Sequence, residues 1–268
     1  AQRTASDKLT LNLAISDFFA LTTYLPWRTY LLILREKTEH WRIYTSLFVV
    51  CIFATGNAVL VIALDRLTAV VWPLRYKTLI TSNVSLTFVA ISWITAIVFG
   101  VVHGFSYEVH IHDPEYELFL CSMSFAQLAL LSVIYGILLR TARKQGRNIS
   151  NMRGSLQAGF FLVRKSMLTS FTIMILFYAT FLPYSIYRVY STIDENLTDH
   201  EKNTAWRWLT AFTFINSCRN PFVYFFGMQR HRTMLTKYFQ AWFGSYRKRK
   251  HGYSPKVVNN SNDMEDQV

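Results

Sequence analysis

The chain has 268 residues, 51% hydrophobic and 16% aromatic, with a mean hydropathy of +0.19 and only 16% charged side chains. Ordinary soluble domains carry about 25% charge, and one buried helix cannot account for four long apolar runs, so a soluble protein is excluded. The net charge of +12 does not signal nucleic acid, because the basic residues are confined to segments between the apolar runs.

Ala1–Lys8 is a polar lead-in. The first predicted helix runs over Leu9–Leu34, contains Asp17 and Arg28, and should bend at Pro26, which removes a helical hydrogen bond. Trp41–Val71, Ser82–Val102 and Cys121–Ala142 follow, then Arg164–Ser191 with Pro183 and Thr204–Met228 with Pro221. The two prolines should kink their helices. Ile43–Leu64, Ser82–Val102, Leu118–Leu139 and Ser166–Tyr187 contain no Asp, Glu, Lys or Arg. Each approaches the roughly 20 residues that span a bilayer. Six transmembrane helices are therefore expected. Gln229–Phe243 reads as a short amphipathic helix lying in the membrane interface, and 244–268 as a disordered cytoplasmic tail. One receptor-like helical unit, 1–243, and this tail make up the predicted organisation.

The segments between the helices alternate in charge. Arg140–Lys165 and Arg230–Lys250 each carry seven Lys or Arg and no acid, whereas His103–Glu117 carries four acids and no Lys or Arg. The segment around Asp194, Glu195, Asp199 and Glu201 is also acidic. Positive charge stays inside, so the N-terminal segment, Arg66–Lys77, Arg140–Lys165 and the tail are placed in the cytoplasm. Asn196-Leu197-Thr198 is then the only sequon on the outer side. Three cysteines, two of them inside predicted helices, give no disulfide framework.

Ionisable and polar groups inside spans are costly and mark function. Asn216 and Asn220 are four apart, with Ser217 beside them; Thr55 and Arg66 are eleven apart on one face. Asp17, Thr55, Asn216, Ser217 and Asn220 thus form an expected polar pocket, either a hard-ligand site for sodium or a hydrogen-bonded structural network. Asp65-Arg66 ends a long apolar helix, where an Arg can also simply snorkel. Phe177, Phe181, Tyr184 and Arg188 share one face of the next-to-last span, and Phe48 lies above Arg66. With Trp206 and Thr210 of the last span, Phe48, Tyr184 and Arg188 are the candidate lining of an outward cavity; helix packing is the alternative.

Taken together these residues resemble the rhodopsin-like (class A) G-protein-coupled receptors. "LNLAISD" at Leu11–Asp17 is similar to the second-helix signature with its sodium-site Asp. "DRL" at Asp65–Leu67 resembles the Asp-Arg-Tyr motif, followed by "WPLRY". Trp93 and Tyr135 match the fourth- and fifth-helix landmarks. "FYATFLP" at Phe177–Pro183 resembles the sixth-helix motif, and "NSCRNPFVY" at Asn216–Tyr224 the seventh-helix motif.

The resemblance implies an all-α membrane fold: a seven-helix receptor bundle lacking its first transmembrane helix, with six spans present. It implies an activation switch made of Asp65, Arg66, Tyr135, Phe177, Phe181, Pro183, Pro221 and Tyr224. In that switch Arg66 pairs with Asp65 at rest and turns to Tyr135, Tyr224 and a heterotrimeric G protein on activation. Partners would be that G protein, the lipid bilayer and an extracellular small-molecule or peptide ligand, but no nucleic acid. No cofactor is expected beyond a sodium ion near Asp17.

Several positions depart from the pattern. Trp41 stands where the third-helix Cys is expected, leaving Cys121 without its usual partner. Phe181 replaces the toggle Trp, Gln127 the fifth-helix Pro, Leu67 the Tyr of the latch motif, and Val163 an acid that often holds the latch Arg. Phe48 stands where amine receptors carry Asp, and Phe214 where opsins carry Lys, so neither ligand is expected. Arg219 in "SCRNP" has no counterpart, and would be costly if it faced a missing helix. The alternative function is a six-span channel or transporter; no voltage-sensor Arg series, broken-helix repeat or catalytic motif supports it or an intramembrane enzyme.

Overall fold

In a computed structural model the backbone is described over residues 5–34, 41–109, 114–149, 155–194 and 196–227, with scattered positions in 233–243. Every regular element among the described residues is helical: α1 (Ala5–Phe19), a π-turn (Ala20–Tyr24), α2 (Leu25–Leu34), α3 (Trp41–Val71), α4 (Tyr76–Leu79), α5 (Ser82–Val109), α6 (Pro114–Ile149), α7 (Ser155–Ile193) and α8 (Asp199–Gly227). Ala1–Gly227 forms one compact unit and Met228–Val268 another. The expected amphipathic segment falls in the second unit, mostly outside the described residues; its described positions from Phe239 to Phe243 are helical and exposed. The predicted tail and Val163's side chain also lie outside the described residues.

Among the described residues, four helical stretches are long and apolar enough to cross a membrane: Ile43–Val71, Ser82–Ser106, Glu115–Lys144 and Met167–Ile193. The stretch Ala5–Leu34 and α8 are the other two expected spans. Their internal Asp, Arg, Asn and Ser side chains lower their hydropathy, which is why length and composition alone do not single them out.

The Pro26 distortion sits one turn earlier than the proline itself. Pro26 has no N–H, and its ring crowds the carbonyl four residues back. The helix answers by widening to π geometry, the Leu25 N–H reaching the Ala20 carbonyl. Thr22 and Thr23 turn their hydroxyls onto the Phe18 and Phe19 carbonyls at 2.8 and 2.6 Å, satisfying acceptors the widened turn leaves short. At Pro183 and Pro221, by contrast, α7 and α8 run on as single helices.

α3 is the central element. It packs against α1, α5, α6 and α7, while α7 also packs on α6 and α8. The main core joins Leu9 and Leu13 of α1, Val59 and Ile62 of α3, Leu131 and Tyr135 of α6, and Ile173, Phe177 and Phe181 of α7. Gly100 lets α5 lie close to α3: a Cβ there would overlap Val50 and stand 3.0 Å from the Ser46 carbonyl oxygen. Trp93 Nε1 donates to Asn12 Oδ1 at 2.9 Å, tying α5 to α1.

Gln127, where the resemblance led to Pro, lets α6 continue without a break. Its amide donates to Asn57 Oδ1 at 3.0 Å, and Asn57 in turn donates to the Ser92 carbonyl and Thr95 Oγ1 on α5. The same Gln side chain fills the space over Gly56, where a Cβ would clash with it. At the start of α8, Thr198 and Glu201 form a capping box: the Glu201 N–H donates to Thr198 Oγ1 at 3.3 Å, and the Thr198 N–H to Glu201 Oε2 at 3.1 Å.

Candidate functional site

Asp17 comes from the inward face of α1 and is 3% exposed. Asn220, from α8, donates its Nδ2 to Asp17 Oδ2 at 2.8 Å, and Ser217 stands beside the same carboxylate. Asn216, Ser217 and Thr55 line a small cavity with Thr180, Phe177 and Phe181. The space open to water centres there is about 30 Å³, room for one or two waters. Asp17 Oδ1, Asn216 Oδ1 and Asn220 Oδ1 are buried acceptors with no hydrogen-bond donor. Orphaned buried acceptors are costly. The residues of the expected polar pocket thus come together, and the set of oxygens suits a hard cation or ordered water.

At the other end of α3, Asp65 and Arg66 form an ion pair at 3.2 Å. Asp65 is 2% exposed, and its second oxygen accepts a hydrogen bond from the Tyr76 hydroxyl of α4 at 2.7 Å. Burial, and then the Asp65 charge, push the Tyr76 phenol above its ordinary range. Arg66 donates to Ser6 Oγ on α1. Tyr135 of α6 is buried on Phe171, and its hydroxyl makes no hydrogen bond to Arg66. Tyr224 belongs to α8, but its side chain lies outside the described residues.

Phe177 and Phe181 stack with ring centroids 5.3 Å apart, between the polar cavity and Tyr184. Toward the other end of α3 from Asp65 the helices meet in an aromatic cluster. Phe48 contacts Tyr24 and Tyr184, each at 5.3 Å, Phe214 at 6.1 Å and Trp206 at 6.4 Å. Tyr24 also stacks on Phe214 at 4.6 Å and on Tyr44 at 4.8 Å. Thr210 is fully buried and bonds to its own helix, at the Trp206 carbonyl. Arg188 pairs with Glu117 of α6. So Phe48, Tyr184 and Trp206 do converge, whereas the charge of Arg188 is answered from within the protein.

Residues 1–224 match the family described as "7 transmembrane receptor (rhodopsin family)". The chain belongs to that family. The family is one of receptors rather than enzymes, and this receptor is similar to the D(2) dopamine receptor A of Xenopus laevis, at 27% identity over 169 residues. That match covers 58% of this chain and 38% of the relative. The alpha-1A adrenergic receptor of Cavia porcellus is 26% identical over 159 residues, 53% of this chain and 33% of its own length. The alpha-1A adrenergic receptor of Rattus norvegicus is 24% identical over 159 residues. The matches thus span about a third of the length of these relatives.

Within this receptor, sequence reasoning missed the partners of Asp65 and Arg66. Ser6 and Tyr76 are ordinary polar residues near helix ends, and no spacing rule connects them to Arg66 or Asp65. Glu117 was one of four outer acids with nothing to single it out. Arg219 does not face outward: its Nη2 donates to the Leu176 carbonyl of α7 at 3.3 Å. Arg28 was visible as a charge inside a span, but its surroundings were not.

Proposed function

We propose that this chain is the switching core of a plasma-membrane receptor that couples an outer ligand to a heterotrimeric G protein. The observation that carries this is the position of Arg66. It is held by Asp65 and Ser6, while Tyr135, packed nearby on α6, leaves its hydroxyl unbonded to it. A half-buried charge with two alternative sets of partners is a two-state element, and whatever binds one state preferentially shifts it. The basic inner segments support a cytoplasmic face for Arg66, and with Ala5–Leu34 and α8 counted, six spans.

The Asp17 pocket is a sodium site in this reading. Asp17, Thr55, Asn216 and Ser217 would hold the ion, which supplies the positive charge the orphaned oxygens lack. The outer ligand is neither an amine nor retinal. The relatives reported above are named for dopamine or adrenergic receptors, but here Phe48 and Phe214 pack against each other at the positions where the resemblance puts the Asp of amine receptors and the Lys of opsins.

The test is nucleotide exchange on purified G proteins by the receptor in lipid. Arg66→Ala is expected to abolish stimulated exchange while the protein still inserts. Ion flux or transport persisting in that variant, with no exchange by the wild type, would reject the receptor reading. In parallel, sodium should raise the melting temperature of wild type over potassium, and Asp17→Asn should remove that difference. An equal sodium effect in both proteins would reject the ion site.

A further inference from the structure

Arg219 stands in α8 between Cys218 and Asn220, half-buried, about two turns before the helix ends at Gly227. Its Nη2 donates to the Leu176 carbonyl of α7 at 3.3 Å, longer than the usual range for such a bond. Its Nε is buried without a hydrogen-bond partner, and no carboxylate pairs with it among the described residues. Arg66 and Arg188, by contrast, each have an acid. A guanidinium inside a span with one long bond to a carbonyl is poorly compensated, and such a charge marks function.

The side chain turns along the seam between α7 and α8 and lies at its floor. One turn to either side on α8 stand Ile215, 43% exposed, and Phe222, 65% exposed. On α7, Ile175 and Ala179, each within a turn of Leu176, are exposed as well. With α8 counted as a span, as above, these side chains meet lipid tails, and the charge has apolar surface above and below it. Headgroup anions are badly placed to answer it. The basic segment after α8 puts that end of the helix inside. Helix side chains lean toward the N-terminus of their helix, so Arg219 leans away from the inner headgroups. The outer headgroups lie beyond the exposed Trp208, about three turns further up. A second copy of this chain offers no acid at this depth. Asp17 and Asp65 are buried, and the other acids among the described residues lie at helix ends.

We propose that the α7–α8 seam docks a transmembrane helix of a different protein, one that carries an Asp or Glu within its apolar span, and that this carboxylate pairs with Arg219. A guanidinium fork matches a carboxylate in shape as well as charge. Apolar packing between helices gains little over packing against lipid, so the charge pair supplies the selectivity. The exposed Ala179 leaves room for the incoming backbone, and Ile215 and Phe222 give it apolar contact. The proposal rests on the span reading of α8 and on neither the outer ligand nor the G protein.

The experiment uses the full chain in phosphatidylcholine nanodiscs and membrane-spanning peptides of about 20 leucines flanked by lysines, with Glu, Gln, Lys or Leu at the centre. Association is read as energy transfer from the receptor's tryptophans to a dansyl group on the peptide. The Glu peptide is expected to associate about tenfold or more tightly than the Leu peptide, as for one charge-assisted contact. Gln should fall between them, and Lys should do no better than Leu. Arg219→Leu and the milder Arg219→Gln should both lose the preference for Glu, while Arg219→Lys keeps part of it. Thermal melting shows which variants are folded. Equal association of the Glu and Leu peptides with the wild type, or an unchanged preference in a folded Arg219→Leu or Arg219→Gln, would overturn the proposal. So would stabilisation by added phosphatidylglycerol that Arg219→Gln abolishes, without any peptide preference, since a lipid headgroup would then be the anion. Cys218, exposed beside Arg219, separates the docking from the span reading when wild type is compared with Cys218→Ser. Cys218 protected from a charged, water-soluble thiol reagent, with no preference for Glu, rejects the docking alone. Cys218 modified by that reagent rejects α8 as a span and the docking with it.

Discussion

At the scale of single residues, the polar side chains of the spans divide by who compensates them. Asp17 has Asn220, Asp65 has Arg66 and Tyr76, and Arg188 has Glu117. Arg219 has a carbonyl of the neighbouring helix, so its charge draws α8 toward α7 rather than facing outward. Tyr76, the hydrogen-bond partner of Asp65, is a residue that titration can reach. Its phenol is raised because burial and the Asp65 carboxylate both disfavour the phenolate. A raised value favours the folded state at every pH below the unfolded tyrosine value of about 10. The contribution is lost only as the pH rises through the higher folded value. Spectrophotometric titration should show one tyrosine fewer ionising above the ordinary range in Tyr76→Phe than in the wild type. A titration curve identical in the two proteins would remove the Tyr76–Asp65 bond from the account.

At the scale of elements, close approach and helix continuity set the geometry that the site depends on. The π-turn at Ala20–Tyr24 lies between Asp17 and Arg28 on one continuous helical stretch. It changes which face Tyr24 and Arg28 present relative to Asp17, because five residues share a turn that would hold fewer in an α-helix. Gly100 sets the spacing of α5 on α3. Gly100→Ala would gain helix propensity but must displace Val50 and crowd the Ser46 carbonyl. Overpacking of that kind costs about 1–3 kcal/mol, so a lower melting temperature is expected. Gly136 has open space around its Cβ position, and Gly136→Ala should be neutral or slightly stabilising. If the two substitutions behave alike, the close contact at Gly100 is not limiting.

At the scale of the whole molecule, exposure has the opposite meaning from that in a soluble protein. Ile94, Val98, Val101 and Phe105 of α5 are each more than 40% exposed, as a helix facing hydrocarbon should be, since lipid tails accept such faces without penalty. The orientation of the spans is testable through the sequons. Asn196 is exposed between α7 and α8, its Nδ2 donating to Asp194 Oδ1 at 3.1 Å. Expression in cells with the glycosylation machinery should place glycan on Asn196 alone, and Asn196→Gln should abolish it. Glycan on the other sequons, Asn83-Val84-Ser85 or Asn148-Ile149-Ser150, would invert the topology and move Arg66 to the outer side.

What the sequence determined by itself was everything local or periodic. Uncharged runs of bilayer length mark α3, α5, α6 and α7, because a hydrocarbon span must be apolar along its whole length. Asn216, Ser217 and Asn220 could be placed on one side of a helix from spacing alone, and the ordered series of motifs pointed to the receptor family. Helix ends were less legible: α6 and α7 extend well beyond their apolar cores, since a helix continues into water while capping and side-chain pairing sustain it. Only the tertiary structure decided the partners. Asp17 meets Asn220 from 203 positions away, Arg66 meets Ser6, and Arg28 meets the Arg207 carbonyl. Such pairings depend on how rigid helices cross, and each crossing is the sum of many small packing contacts, so no window of sequence contains them.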